Sequence, residues 1–248
     1  HADSDAVKEH LSEGGTVFTV EGTSLVLRDG NSPSAPIVKV FEVPITLGGK
    51  ALYNVSNALA AAAAGHALLG LKIEDLRTGL STFNPSIGQS PGRLNLFEVA
   101  GVDYLVDYAH NVPAFVALNQ VVASLSEKRL QEHRRIGVVS GTGNRMDQDI
   151  IRLGETAAGI YTDLIIKDSD PRDRPLGETA EIMRNAALGA GIPEEKLRVI
   201  LNEEEAIKAA FDQAVPGDIV VIQPDDIRGT IRMLLEHKEE KESLPLFP

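Results

Sequence analysis

The sequence of 248 residues contains no cysteine and no tryptophan, and aromatic residues make up only 4% of it. The absence of cysteine excludes disulfide bonds, thiolate nucleophiles and cysteine-based metal sites. Such a composition is typical of cytoplasmic proteins, and we expect that location for this chain.

Long apolar runs are also absent. No stretch reaches the roughly 18 apolar residues that a membrane-spanning helix needs. The Ala-rich segment Asn57–Gly70 comes nearest, but Gly65 and His66 interrupt it. The opening residues, HADSDAVKEH, lack an initiator methionine, a basic segment and an apolar segment, so they do not form a signal peptide. A sequence that opens in this way suggests a piece cut from a longer chain.

Positive charge is scarce. The chain has 24 Lys and Arg against 36 Asp and Glu, for a net charge of −12. A protein that binds nucleic acid needs a basic surplus to neutralise phosphates, so we expect no nucleic-acid partner. Hydrophobic residues at 43% and charged residues at 24% indicate a folded globular chain.

From Gly92 onward, short β-branched runs alternate with helical patterns of about three turns. The apolar runs that end near Val106, Val139, Ile166 and Ile222 read as strands of one sheet. This alternation is typical of an α/β fold with a doubly wound, Rossmann-like and mostly parallel sheet.

The first part of the sequence has a different pattern. Turn residues and apolar periodicity predict a hairpin of Thr16–Glu21 with Ser24–Arg28, a strand Ile37–Val43, a helix from near Asn54, and a helix Ile73–Phe83. The turn-rich segment Ser86–Pro91 reads as a hinge. We therefore predict two domains, residues 1–90 and 91–248.

Ligands of doubly wound sheets bind at the carboxyl ends of the strands. The loop Asp107–Asn111 (DYAHN) places a carboxylate there that could accept hydrogen bonds from both hydroxyls of a ribose. It also places an amide there that could form hydrogen bonds with the edge of an adenine base. Alternatively, Asp107 only caps the helix that follows. The loop Ser140–Asp147 (SGTGNRMD) has two glycines that permit close approach of a ligand, but it also fits a tight turn capped by Asp147.

The loop Lys167–Glu178 mixes three aspartates, Asp168, Asp170 and Asp173, with Arg172 and Arg174. An arginine fork can grip a carboxylate while carboxylates hold a cation, so the loop suits a zwitterion. The alternative is a self-paired surface loop. The arginines and the spacing argue against a metal here, and the histidines show no ligand spacing elsewhere. In the loop PDDIRG, interaction with a helix N-terminus explains Asp225 and Asp226 without a function.

Several motifs together resemble the Mur ligase family, and more narrowly the Mur-like half of the cyanophycin synthetases. The segment Gly48–Gly65 resembles the end of the family's central ATPase domain, and SPGRLNLFE (Ser90–Glu98) resembles the junction into its C-terminal domain. VDYAHN and SGTGNRMDQDI resemble the first ligand loops of that domain. DSDPR resembles the DNPR element of members that add a diamino acid.

The resemblance implies a function and a set of site residues. The family activates a carboxylate with ATP as an acyl phosphate, which an amine then attacks; the cyanophycin synthetases join arginine to an aspartate side chain. ATP and Mg²⁺ are the implied cofactors, an amino acid or polymer the implied substrate, and a homo-oligomer of the parent enzyme a further expectation. For the nucleotide, the expected contacts are Asn57, Arg93, Asp107, His110 and Asn111. For the amino acid, resemblance and charge pattern together give Ser140, Thr142, Asn144, Arg145, Asp168, Asp170, Arg172 and Asp173.

The phosphate-binding loop of the family is absent from this sequence. Lys50 follows two glycines, but Ala51 stands where a Ser or Thr is needed. We therefore expect no catalytic residues within the chain and interpret residues 1–90 as a remnant of the ATPase domain. Two alternatives stay open: a non-catalytic module that binds a nucleotide or polymer, and a ligase of the Mur or folylpolyglutamate type with another substrate.

Overall fold

The computed structural model describes residues 4–30, 32–127, 129, 132–168 and 170–243. The chain forms two compact units, His1–Pro85 and Ser86–Pro248. The sequence predicted a boundary after Ser90, which lies in the turn that opens the second unit. Residues 1–3 and residues 244–248 lie outside the described residues.

The first unit begins with a helix that the sequence pattern did not predict. This helix, α1 (Asp5–Ser12), starts where the Ser4 hydroxyl accepts a hydrogen bond from the Val7 amide at 3.4 Å. An antiparallel sheet follows, with strands β1 (Thr16–Glu21), β2 (Ser24–Asp29) and β3 (Ala35–Lys39). The predicted hairpin is confirmed. The predicted strand Ile37–Val43 was wrong in its second half, because the chain turns into a 3-10 helix at Val40–Glu42.

Two helices complete the first unit. Helix α2 (Leu52–Leu69) ends at Gly70, which adopts the left-handed conformation that favours glycine at a helix end. Helix α3 (Ile73–Thr82) is preceded by Lys72, whose amide donates to the Asp75 carboxylate at 3.0 Å. The core of this unit consists of the buried side chains of Leu25, Ile37, Val38, Val43, Val55, Ala58, Ala62 and Leu76.

The second unit is an α/β fold. Its strands are β4 (Asn95–Val99), β5 (Val102–Val106), β6 (Arg135–Ser140), β7 (Asp163–Lys167), β8 (Leu197–Val199) and β9 (Ile219–Ile222). Its helices are α4 (Val112–Ser126), α5 (Asp147–Ile160), α6 (Glu178–Gly189), α7 (Glu203–Gln213) and α8 (Ile227–Ser243). The predicted alternation of strands and helices is confirmed throughout this unit.

In the described residues, these strands form one sheet in the order β4-β5-β9-β6-β7-β8. The β4–β5 pair is antiparallel and every other pair is parallel. The mostly parallel sheet is thus confirmed. Because β5, β6, β7 and β9 run in the same direction, the loops that follow them meet at one edge, which we call the carboxyl edge.

The opposite edge is held by a partly buried ion pair. Arg134 precedes β6 and Asp218 precedes β9; the guanidinium Nη2 lies 2.5 Å from the Asp218 Oδ2. Burial by itself raises the pKa of Asp218, but hydrogen bonds from Arg134 and from the Val215 amide bring the pKa below its ordinary value. Within the described residues, no helix is long and apolar enough to cross a lipid bilayer.

Candidate functional site

The segment that leads into β4 is a tight turn built around Asn95. The Gly92 amide donates to Asn95 Oδ1 at 2.7 Å, and Asn95 Nδ2 donates to the carbonyl oxygens of Ser90 and Arg93 at 3.1 and 3.3 Å. Gly92 has a φ of 73°, and a β-carbon on it would meet Ile227 at 2.9 Å. The turn therefore requires glycine here, and it fixes the position of Arg93.

Asp107 holds this turn from the neighbouring strand. Its Oδ2 accepts a hydrogen bond from the Leu94 amide at 3.0 Å, and Leu94 has a left-handed φ of 49°. Only 8% of Asp107 is exposed. Burial raises its pKa, and the Leu94 amide, the Arg93 charge and the Ala109 amide only partly oppose this. Asp107 does not cap α4; Asn111 does, by accepting a hydrogen bond from the Ala114 amide at 2.9 Å.

Three side chains from the turn and the β5 loop lie against one another. The Arg93 guanidinium lies over the Tyr108 ring, 5.5 Å from its centroid. The rings of Tyr108 and His110 are 5.2 Å apart, and His110 Nδ1 lies 3.0 Å from the Tyr108 carbonyl oxygen. The structure thus brings Arg93, Asp107 and His110 together, as the predicted nucleotide site requires. Asn57 lies in the first unit, exposed on α2, where its Nδ2 donates to Asn54 Oδ1 at 3.0 Å.

The loops after β6 and β7 are tied together by Arg174. Its guanidinium donates to the carbonyl oxygens of Gly143 and Arg145 at 2.9 and 2.8 Å. The same group pairs with Asp147 and Glu178, each at 2.7 Å. These carboxylates raise the pKa of Arg174. Arg174 therefore connects the protein's own loops, whereas Arg172 has a different setting.

Arg172 adopts a left-handed backbone, with a φ of 55°. This conformation costs a non-glycine residue roughly 1–2 kcal/mol, and such strain concentrates at ligand sites. Its side chain is half-exposed and pairs with Asp170 at 3.0 Å. Asp168 differs, because it is buried and its Oδ2 accepts from the Gly177 amide at 2.7 Å. Among the described residues, its Oδ1 has no hydrogen-bond partner.

Two neighbouring cavities open at the carboxyl edge. The smaller one, of about 90 Å³, we call the sheet-edge cavity; it is lined by Tyr108, His110, Gly141, Thr142, Asp170, Arg172, Gln223 and Asp225. The larger one, of about 340 Å³, we call the helix cavity; it is lined by His110, Asn111, Val112, Pro113, Thr142, Arg145, Asp149, Ile150, Arg152 and Leu153. His110 and Thr142 line both cavities, so residues predicted for the nucleotide and for the amino acid meet there.

The remaining predicted substrate residues lie outside both cavities. Ser140 is buried, and its amide donates to Gln223 Oε1 at 3.1 Å. Asn144 and Asp173 are exposed. A direct contact of these residues or of Asp168 with a substrate stays a prediction.

Sequence reasoning missed a charged cluster behind the sheet-edge cavity. Lys167, the last residue of β7, is fully buried; its Nζ lies 2.6 Å from Asp225 Oδ2 and 2.8 Å from Glu203 Oε2. Glu203 also accepts hydrogen bonds from the amides of Asp225 and Asp226 at 2.7 and 2.9 Å. Burial by itself raises the pKa of Glu203, but the charge and hydrogen bond of Lys167 and these amides bring it below its ordinary value. The one available signal was a lysine that ends an otherwise apolar strand.

Comparison with known sequences points to one family. Residues 92–225 match the family described as Mur ligase, glutamate ligase domain. The chain is 34% identical over 235 residues to a cyanophycin synthetase of Nostoc sp., a match that covers 94% of this chain and 25% of that protein. It is 32% identical over 217 residues to the UDP-N-acetylmuramoyl-L-alanyl-D-glutamate–2,6-diaminopimelate ligase of Corynebacterium efficiens, covering 82% of this chain and 38% of that one.

Solved structures agree on the fold. E. coli FolC in complex with ADP superposes with a TM-score of 0.58 at 17% identity, covering 91% of this chain and 47% of that one. Against the cyanophycin synthetases that it matches, the chain spans about a quarter of their length.

Proposed function

Because the chain belongs to the Mur ligase family, we propose that it forms the part of an ATP-dependent amide ligase that binds the incoming amino acid and the nucleoside of ATP. The family consists of ATP-dependent ligases that form amide bonds. The complete reaction is a property of a longer protein, since the cyanophycin synthetases that the chain matches are about four times as long as it is.

The observation that carries the proposal is the charge arrangement of the sheet-edge cavity. Arg172, which pairs with Asp170, and Asp225 all line this cavity. A guanidinium fork binds a carboxylate through two parallel hydrogen bonds, and a carboxylate binds a guanidinium in the same way. Arginine carries both groups, with its nucleophilic amine between them. We therefore propose arginine as the incoming amino acid, joined to an aspartate side-chain carboxylate.

On the nucleotide side, we propose that Arg93, Tyr108 and His110 contact the base and ribose. Asp107 would accept a hydrogen bond from a ribose hydroxyl through the lone pairs that the Leu94 and Ala109 amides leave unused. It would also hold in place the turn that carries Arg93. Asn57 stays a predicted adenine contact of the first unit itself, which we interpret as the remnant of an ATPase domain. A protein with the same fold has been solved in complex with ADP, which supports nucleotide binding in the family.

In the proposed reaction, a substrate carboxylate oxygen attacks the γ-phosphorus of ATP, the bond to the bridging oxygen breaks, and ADP leaves. The amine nitrogen of the amino acid then bonds to the acyl carbon, the acyl bond to phosphate breaks, and the amine proton passes to solvent. This chain contributes by holding the amine close to the acyl carbon in the orientation for attack, which lowers the barrier by fixing the geometry of the reactants. Within the described residues, no three acidic or histidine side chains are grouped to hold a metal ion, so we assign the implied Mg²⁺ no ligands here.

The test is a substrate screen with the full-length protein. Phosphate release from ATP is measured with an aspartate-terminated peptide and each of arginine, lysine, diaminopimelate and glutamate. The proposal expects release that depends on arginine, together with a product heavier by one arginine residue. Release with diaminopimelate or glutamate instead would assign a different ligase substrate, and ATP binding without any release would favour a non-catalytic binding module.

A further inference from the structure

The buried Lys167 is the feature of the carboxyl edge that the proposed function does not yet use. Lysine is almost never fully buried unless it is paired, because removing an ammonium from water is costly. Here its side chain has no exposed surface, and its Nζ contacts Glu203, Asp225 and, at 3.4 Å, the Ser140 hydroxyl. Lys167 therefore joins groups from three elements: the end of β6, the start of α7 and the loop after β9.

Glu203 balances the positive charge of Lys167, and both of its carboxylate oxygens accept hydrogen bonds. Its two oxygens accept the Lys167 ammonium, the amides of Asp225 and Asp226, and the Thr230 hydroxyl at 3.4 Å. As the first residue of α7, Glu203 also lies where a helix favours negative charge. The Lys167–Glu203 pair thus fixes the backbone of the loop that carries Asp225.

Asp225 is left as the surplus charge of this cluster. Among the described residues, its carboxylate pairs through Oδ2 alone, with Lys167 at 2.6 Å. Its side chain is 30% exposed, and the residue lines the sheet-edge cavity with Arg172. One ammonium and two carboxylates give the cluster a net charge of −1, which a cationic group in the cavity would balance.

We propose that Lys167, anchored by Glu203, is a positioning residue that fixes Asp225 as the cation-binding carboxylate of the sheet-edge cavity. The proposal rests on the proposed function, because the cation is a group of the incoming amino acid. It assigns specificity for a basic amino acid to Asp225, a residue whose place at a helix start had suggested no function. Lys167 acts through Asp225 and does not itself contact the substrate.

The experiment is steady-state kinetics of the full-length protein with three variants: Asp225→Asn, Lys167→Met and the double variant. Asparagine keeps the shape and can still accept from Lys167, but it turns an amide donor toward the cavity. We expect Asp225→Asn to raise the KM for arginine at least about tenfold, with the KM for ATP within about twofold. Lys167→Met should fold, because Glu203 retains its amide donors and Asp225 can reach solvent.

Whether Lys167→Met raises or lowers the KM for arginine distinguishes a residue that positions Asp225 from one that acts only through its charge. If Lys167 positions Asp225, the KM for arginine rises, and the double variant matches Asp225→Asn alone because both changes act on one contact. If Lys167 acts only by its charge, its removal makes the cavity more negative and the KM for arginine falls, which overturns the proposal. Additive effects, or a loss of stability with an unchanged KM, overturn it as well.

Arg134→Met is the matched control, because it also removes the cationic partner of a buried carboxylate, Asp218, but at the opposite edge of the sheet. It should lower the melting temperature and leave the KM for arginine within about twofold. Should Lys167→Met fail to fold, Asp225→Asn still tests the proposal. If this variant prefers arginine over its uncharged analogue citrulline as strongly as the wild type does, the proposal is overturned. A wild-type protein that forms no amide with any amino acid overturns the proposed function itself, and this inference with it.

Discussion

Gly143 packs its backbone directly against the carbonyl group of Pro171. A β-carbon on Gly143 would overlap the Pro171 oxygen, and only glycine permits the approach. The contact joins the β6 loop to the β7 loop just before Arg172, the residue with the strained backbone. The shape of the sheet-edge cavity therefore depends on a glycine that is not among its lining residues.

Gly143→Ala should displace the β7 loop and impair the amino-acid site. Because the clash is with backbone, it cannot be relieved by a side-chain rotation. We expect a lower melting temperature and a KM for arginine raised at least about tenfold, as a displacement of about 1 Å can cost that much. Gly159→Ala in α5 is the matched control, since a β-carbon there meets nothing within 4 Å; it should be neutral or stabilise by up to about 1 kcal/mol. Equal effects of the two changes would show that the loop contact is unimportant.

Arg172→Gly should separate stability from function. Glycine adopts the left-handed backbone without strain, so we expect the free energy of unfolding to rise by up to about 1 kcal/mol after the entropy cost of glycine. Use of arginine should fall, because the guanidinium fork is lost. Urea unfolding of the chain measures the first effect. A loss of stability would mean that the Arg172–Asp170 pair contributes more than the strain costs.

Asp107→Ala should cost stability as well as nucleotide affinity. The sequence suggested a role in binding rather than folding, but the buried carboxylate accepts from the Leu94 and Ala109 amides. Leaving such donors unsatisfied costs about 1–3 kcal/mol of folding free energy. Chemical denaturation measures it, with Asn111→Asp as a control that keeps an acceptor at the α4 cap. A variant with unchanged stability would restore a purely ligand-binding role.

His237 should make stability depend on pH. Its ring stacks on Phe211 at 4.2 Å, and its Nε2 lies 3.4 Å from the Tyr104 hydroxyl. Burial lowers its pKa, as does Lys241, while Glu240 and Asp212 act in the opposite direction. The neutral ring is thus favoured in the folded state, so its contribution is present above pH about 6.5 and is lost as pH falls through the lowered value.

The measurement for His237 compares urea unfolding at pH 7.5 and pH 5.5 for the wild type and His237→Phe. The variant keeps the ring stacking but cannot titrate, so its stability should fall less over this interval. A parallel decline of both proteins would place the pH dependence in groups other than His237. Glu203 and Asp218 are not among them, because their lowered pKa values mean that their contribution is lost only at more acidic pH.

The sequence predicted the second unit well because its signals are local. Apolar runs such as Ile136–Ser140 and the helix that begins near Pro113 have clear periodicity and turn residues. The first unit was predicted less well. Helix α1 begins at a serine cap with few apolar residues, and Val40–Glu42 looks like the end of a strand, yet the chain turns there.

The site was predicted only in part because contacts across the sheet leave little trace in sequence. Arg172 and Arg174 look equivalent in the loop, but one lines a cavity and the other binds four groups of the protein. Lys167, Glu203 and Asp225 are separated by 36 and 22 residues in sequence (203 − 167 and 225 − 203). Their charges come together because β7 and β9 run parallel on either side of β6 and because α7 begins next to their carboxyl ends.

The central claim, that the sheet-edge cavity binds the incoming amino acid through Arg172, is tested most directly by the kinetics of Arg172→Ala in the full-length protein. ATP and arginine are varied in turn. If the Arg172 fork binds the carboxylate of the amino acid, the KM for arginine rises about tenfold to a hundredfold, the value of one bidentate charged contact, and the KM for ATP stays nearly unchanged. Arg172→Lys should not restore activity, because a point charge does not replace the fork. A raised KM for ATP with an unchanged KM for arginine would contradict the account and make this loop a nucleotide-binding element.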